Sequence, residues 1–190
     1  MRTIEEQGHI FEEWITPAQI AAEIQPVADR INEDYKTKSP LFVVVLNGAF
    51  IFAADLVRRF NGRCKITFVR VKSYEGMTST GEIRFIVPLQ QNIEGRDIIV
   101  IEDIVDTGLT MHHLKQYLLD QGAASVRVAA LLCKPDKLQF ADAEPDYVVR
   151  RITNEFVIGY GLDLEGFTRN LDAVYKIKEQ QIINPINVTL

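Results

Sequence analysis

Apolar positions along this chain follow two rhythms. Ile20, Ile24, Val27 and Ile31 recur at helical spacing, which turns one face toward a core and predicts an amphipathic helix. Thr16-Pro17 stands at its head, a hydroxyl that can cap unpaired N–H groups followed by a residue whose fixed φ suits a first helical turn. Pro26 falls inside the same stretch, and its missing N–H predicts a kink or a division there. The second rhythm is the short run with hardly a polar member. Residues 41–46, LFVVVL, end in Asn47-Gly48, and residues 97–101 end at Glu102-Asp103; runs apolar on both faces are strands buried between helices.

Weaker signals fill the interval. Residues 49–60 read as a helix, 65–71 and 83–87 as strands rich in β-branched and aromatic residues, and 73–81 as a loop of Ser, Thr and Gly without periodicity. Residues 110–121 form the next helix, closed by Gly122, and 126–132 and 147–149 are two further strands. Strand, connection and strand alternate, so the expected fold class is α/β, an open and mostly parallel twisted sheet flanked by helices. No repeat or linker divides residues 1–190, which predicts a single domain, while 180–190 reads as an extended tail or an interface strand.

Composition narrows the function. With 21 Lys and Arg against 26 Asp and Glu, a net charge of -5 and a pI near 5.3, the chain lacks the basic surface that nucleic acid or an anionic membrane requires. No stretch is apolar enough to span a bilayer and the acidic start is unlike a secretory signal, so the expected location is the cytoplasm. Cys64 and Cys133 lie in apolar runs and read as reduced thiols rather than a disulfide or metal ligands. His9, His112 and His113 have no partners at ligand spacing and are given no catalytic role; Phe11 and Trp14 are expected to pack on the sheet or on a neighbouring subunit.

The chemistry concentrates in residues 98–110, IIVIEDIVDTGLT. An apolar strand runs into three carboxylates and then into a short turn opening a helix. Amides of Thr107, Gly108, Leu109 and Thr110, with two hydroxyls and the positive end of a helix dipole, can cradle one phosphate. Three acids beside a phosphate would repel it unless ribose hydroxyls and a hard divalent cation stand between. Glu102 and Asp103 suit the ribose and that metal, and Asp106 is placed to face a reacting base. No Gly-Lys-Ser/Thr sequence is present, which disfavours triphosphate hydrolysis through a P-loop.

Residues 100–110 resemble the phosphoribosyl pyrophosphate signature of type I phosphoribosyltransferases, and residues 41–171 resemble the hypoxanthine-guanine branch of that family. The resemblance implies a small hood over the sheet, a mobile lid that includes Ser73 and Tyr74 with the cluster 78–81, and Mg2+ as cofactor. It implies that Leu46, Asn47 and Gly48 meet pyrophosphate through backbone N–H groups, at a loop where relatives often carry Lys in place of Asn47, and that Arg169 meets the same group. It further assigns the purine to Lys134, Phe156, Val157 and Asp163, the metal to Glu102, Asp103 and Asp163, and the proton transfer to Asp106. The implied reaction is purine salvage, transfer of 5-phosphoribosyl to hypoxanthine or guanine giving IMP or GMP and pyrophosphate, by a homodimer or homotetramer.

Several of these residues have plainer readings alone: Phe156 as core, Asp163 as a turn cap, Arg169 as a surface ion pair, Lys134 as a strand-end lysine. The rival function is a regulatory protein of the same fold that senses nucleotides, which predicts a basic face or an added helix-turn-helix.

Overall fold

The computed structural model describes residues 2–73 and 83–178. In chain order it contains β1 (Thr3–Glu6), β2 (His9–Ile15), α1 (Pro17–Asp34), β3 (Leu41–Val45), α2 (Phe50–Val57), β4 (Lys65–Ser73) and β5 (Ile83–Val87). Then follow β6 (Asp97–Val105), α3 (Leu109–Asp120), β7 (Ser125–Cys133), β8 (Tyr147–Arg151), β9 (Val157–Ile158) and β10 (Val174–Ile177). Six strands form the main sheet in the order β5-β4-β3-β6-β7-β8. Its pairings are parallel except that β5 runs antiparallel to β4, so the expected α/β architecture is observed.

Alternation along β3 explains its wholly apolar sequence. Phe42 and Val44 pack in the cluster that holds α1 and α2, and Leu41, Val43 and Val45 in the cluster on the opposite face that holds α3. Ile20, Ile24, Val27 and Ile31 are the buried positions of α1, as the helical spacing requires, together with Ala28. The start of α1 is a reciprocal capping box between Thr16 and Gln19. Pro26 does not divide the helix. It is exposed, so the carbonyl it leaves without an N–H partner faces solvent, and α1 runs on to Asp34.

A second correction concerns β6. The apolar run stops at Ile101, but the strand continues through both carboxylates to Val105, because pairing with β7 persists to Val105↔Cys133 and keeps the backbone satisfied. Glu102 and Asp103 therefore sit on a strand.

The expected hood is a four-stranded antiparallel sheet, β1-β2-β10-β9, of strands from both ends of the described chain. Phe11 is fully buried there with Ile158, Ala173 and Tyr175, while Trp14 packs against the α1/α2 cluster. Of the expected lid, Ser73 ends β4, whose pairing with β5 reaches Ser73↔Ile83; Tyr74, the cluster 78–81 and the tail 180–190 lie outside the described residues. Cys64 and Cys133 are free thiols, and among the described residues no helix is long and apolar enough to cross a membrane.

Candidate active site

The main sheet reverses its winding at β3, with β4 on one side and β6 on the other. A parallel sheet leaves a crevice beyond the carboxyl ends of its strands at such a reversal. A cavity of about 300 Å3 opens there, lined by Leu46 and Gly48 after β3, by residues 102–111 at the end of β6 and the start of α3, and by Asp163 and Arg169. Every residue assigned from sequence to the ribose, the phosphate and the metal lies around this one opening, and so do most of those assigned to pyrophosphate.

Gly108 caps α3 in a left-handed conformation, φ 80, that a side chain would strain. A Cβ there would also lie 2.6 Å from Ala143 Cβ, so the turn is closed against the segment that follows β7. The first N–H groups of α3 have no carbonyl four residues back to bond; Leu109 N–H donates to Thr107 Oγ1 at 3.4 Å, and residues 107–110 line the cavity. The first backbone bond of α3 is His112 N–H to Gly108 O, 2.9 Å.

Glu102 and Asp103 provide the opposite charge. Glu102 is buried, and burial, followed by the neighbouring Asp103 charge, holds its carboxyl well above the usual range. The two acids are held mainly by local main-chain groups: Asp103 N–H donates to Glu102 at 3.1 Å and Ile104 N–H to Asp103 at 2.9 Å. Across the cavity Asp103 lies directly on Gly48, where an added Cβ would come 1.6 Å from its Oδ2. The Leu46-Asn47 peptide is cis. Leu46 and Gly48 face the cavity, whereas Asn47 is exposed and does not line it.

The far wall is the loop between β9 and β10. Arg169 donates to Gly161 O at 2.7 Å and pairs with Asp163 at 2.6 Å. Asp163 also accepts from Gly166 N–H at 2.7 Å, so it caps a turn and faces the crevice at once. Among the described residues no three acidic, His or Cys side chains converge as a metal cage; Glu102, Asp103 and Asp163 border the same space without forming one.

The purine assignments divide. Lys134 is buried at the end of β7 and donates to Asp106 Oδ2 at 3.1 Å, which joins it to the cavity. Phe156 is 47% exposed, lies 6.2 Å from the Phe11 ring and lines a different opening of about 780 Å3 with Glu12, Thr153 and Lys176. Val157 is buried in β9 opposite Lys176. Neither borders the smaller cavity. Two neighbours were not foreseen. Gly161 packs on the carbonyl of Gly48, and Lys137 stands 3.5 Å from Asp106. The Gly-Tyr-Gly and Lys-Pro-Asp-Lys sequences were their only signals.

Comparisons with known proteins find relatives over most of the chain. The family model described as a phosphoribosyl transferase domain matches residues 15–165. The chain is 40% identical over 162 residues to a hypoxanthine-guanine phosphoribosyltransferase of Streptococcus thermophilus, covering 85% of this chain and 89% of that one. It is 42% identical over 152 residues to the enzyme of the same name from Streptococcus agalactiae, covering 80% and 84%. Among solved structures, a hypoxanthine-guanine phosphoribosyltransferase of Bacillus anthracis superposes with a TM-score of 0.83 at 32% identity, covering 88% of this chain and 98% of that one.

Proposed function

The chain belongs to the phosphoribosyl transferase family, and from that membership we propose that residues 1–190 act as one cytoplasmic domain of purine salvage. It is an enzyme that transfers 5-phosphoribosyl from phosphoribosyl pyrophosphate to hypoxanthine or guanine, giving the nucleoside monophosphate and pyrophosphate. The observation that carries the reading is the single cavity in which the Glu102-Asp103 pair faces the amide turn 107–110. One donor molecule carries both a ribose and a phosphate, and this arrangement meets both. The regulatory alternative needs a basic face that an acidic chain does not supply.

In the proposed reaction the 5-phosphate rests on the turn 107–110, the ribose hydroxyls on Glu102 and Asp103, and the pyrophosphate between Arg169 and the backbone of residues 46–48. The described residues fit a small divalent cation, because two adjacent carboxylates share little compensating charge. Magnesium takes one or two carboxylates and fills its shell with substrate oxygens and water, so a three-acid cage is not required. Glu102 and Asp103 would hold it, with Asp163 joining directly or through water. Bound there, it would supply positive charge against the pyrophosphate oxygens. The bond from the anomeric carbon to pyrophosphate breaks with its electron pair leaving on oxygen, and a purine ring nitrogen forms the new bond. Asp106 accepts the proton that the purine gives up, and Lys134 donates to the 6-oxygen, which selects oxo- over aminopurines. Phe156 and Val157 line the base side. The enzyme works as a homodimer or homotetramer.

The test is to supply the protein with phosphoribosyl pyrophosphate, magnesium and each purine in turn, and to follow pyrophosphate release. Turnover is expected with hypoxanthine or guanine, not with adenine, and is expected to stop when the metal is chelated. Failure with every 6-oxopurine would sink the reading.

A further inference from the structure

We infer that Lys137 is a positioning residue for this transfer, holding one oxygen of the Asp106 carboxylate while the other oxygen meets the purine. The inference rests on the transferase reading above. The two oxygens of Asp106 have different surroundings. Oδ2 accepts from Lys134 at 3.1 Å. Oδ1 is buried with no hydrogen-bond partner and lies 3.5 Å from Lys137 Nζ. A shielded carboxylate oxygen without a donor is costly, and at this separation the ammonium compensates it by charge without forming an aligned hydrogen bond.

The local chain explains why two lysines straddle one carboxylate. Pro135 opens a 3-10 turn over Pro135–Lys137, with Lys137 N–H donating to Lys134 O at 3.0 Å. This turn brings the Lys134 and Lys137 ammonium groups to different oxygens of the one Asp106 carboxylate. The segment is fixed to the phosphate turn by Gln139 N–H donating to Thr107 O at 3.0 Å and by Leu138 and Ala143 against Gly108. Among the described residues Asp106 is the only carboxylate within 4 Å of Lys137.

The arriving base changes the partners. For Asp106 to accept a purine proton, Oδ2 must face the ring nitrogen, in the place that the Lys134 ammonium occupies here. Lys134 then turns to the 6-oxygen, and Lys137 remains as the fixed counter-charge on the opposite oxygen. Without it the carboxylate is free to rotate away from the base.

Steady-state rates with phosphoribosyl pyrophosphate and hypoxanthine or guanine test this. Lys137→Met is expected to lower kcat about tenfold, with KM for phosphoribosyl pyrophosphate changed less than about twofold. The thermal midpoint should fall by no more than a few degrees, since the pair is partly exposed, and Lys137→Arg should restore most of the rate. Placed on top of Asp106→Asn, Lys137→Met should cost nothing more, because the residue it acts through is already altered. If the Met variant fails to fold, Lys137→Gln takes its place. A folded variant with unchanged kcat, a loss that Arg does not restore, or the full loss repeated on top of Asp106→Asn would each overturn the inference. An active wild type with an insensitive variant sinks only this proposal, whereas a wild type inactive with every 6-oxopurine sinks the transferase reading and this one with it.

Discussion

At the scale of single residues the site depends on close approach as much as on charge. Gly48 is enclosed between the Asp103 carboxylate and Gly161, whose added Cβ would lie 2.0 Å from Gly48 O. Gly161 also has φ 103, where a side chain is strained. Gly161→Ala is therefore expected to push residues 46–48 off the cavity and to raise KM for phosphoribosyl pyrophosphate by about tenfold or more, with a smaller effect on purine KM. Steady-state kinetics in both substrates check this, and equal changes in the two KM values would count against it. Of the site, what was readable in the sequence is the part made by neighbours in sequence. Glu102 to Thr110 announce themselves because strand, acids and turn are contiguous. Gly161 and Lys137 act on residues far away or beside a turn, and only folding reveals what they touch. Phe156 was assigned a role that its exposed place beside Phe11 neither crowds nor completes.

At the scale of elements, the strongest local signals gave the most faithful predictions. The α1 start is one: Thr16 accepts from Gln19 N–H at 3.3 Å and the Gln19 side chain accepts from Thr16 N–H at 2.9 Å. Thr16→Ala removes half of this exchange and is expected to cost about 1 kcal/mol, read as a lower urea midpoint at unchanged slope with turnover intact. A change below a few tenths would mean that solvent caps the helix equally well. Where signals were weaker, the outcome turned on context. Pro26 would break an isolated helix, yet on the exposed side of α1 it costs one hydrogen bond and no packing. β1, β2, β9 and β10 escaped notice because each is short or carries charged residues through its length, as in HIFEEWI. The cluster of Phe11 with Ile158, Ala173 and Tyr175 forms only when the two ends of the described chain meet. The Gln7-Gly8 turn between β1 and β2 was the one local hint.

At the scale of the whole molecule, stability should fall at both ends of the pH range, for separate reasons. Toward acid, Asp34 is held below its ordinary range by the Tyr147 hydroxyl and by Arg127, and Asp97 by Ser125 and Lys38. A lowered folded value means that the contribution is complete above the unfolded carboxylate value, about 3.9, and is lost as pH falls through the lower folded value. Both groups are partly exposed, so the loss should be modest and smaller in high salt. Toward alkali, burial pushes Tyr35 up to about 12, and burial also raises Tyr147 and Tyr160, the latter bonded to Asp55. A raised tyrosine value means stability that is complete below about 10 and declines as pH climbs toward the folded value. Urea midpoints across pH, with tyrosinate absorbance recorded on the same samples, should show these buried phenols ionising together with unfolding. Their ionisation in an intact fold at the ordinary value would contradict the burial argument.

The hood has a consequence in time. β2 and β10 come from opposite ends of the described chain, and joining them closes a loop that contains the whole main sheet. Such a closure is entropically expensive until the intervening chain is already compact. The wall that carries Asp163 and Arg169 is therefore completed late, on a platform whose turn at residues 107–110 is already built, and during refolding the main sheet should be in place before this wall closes the cavity.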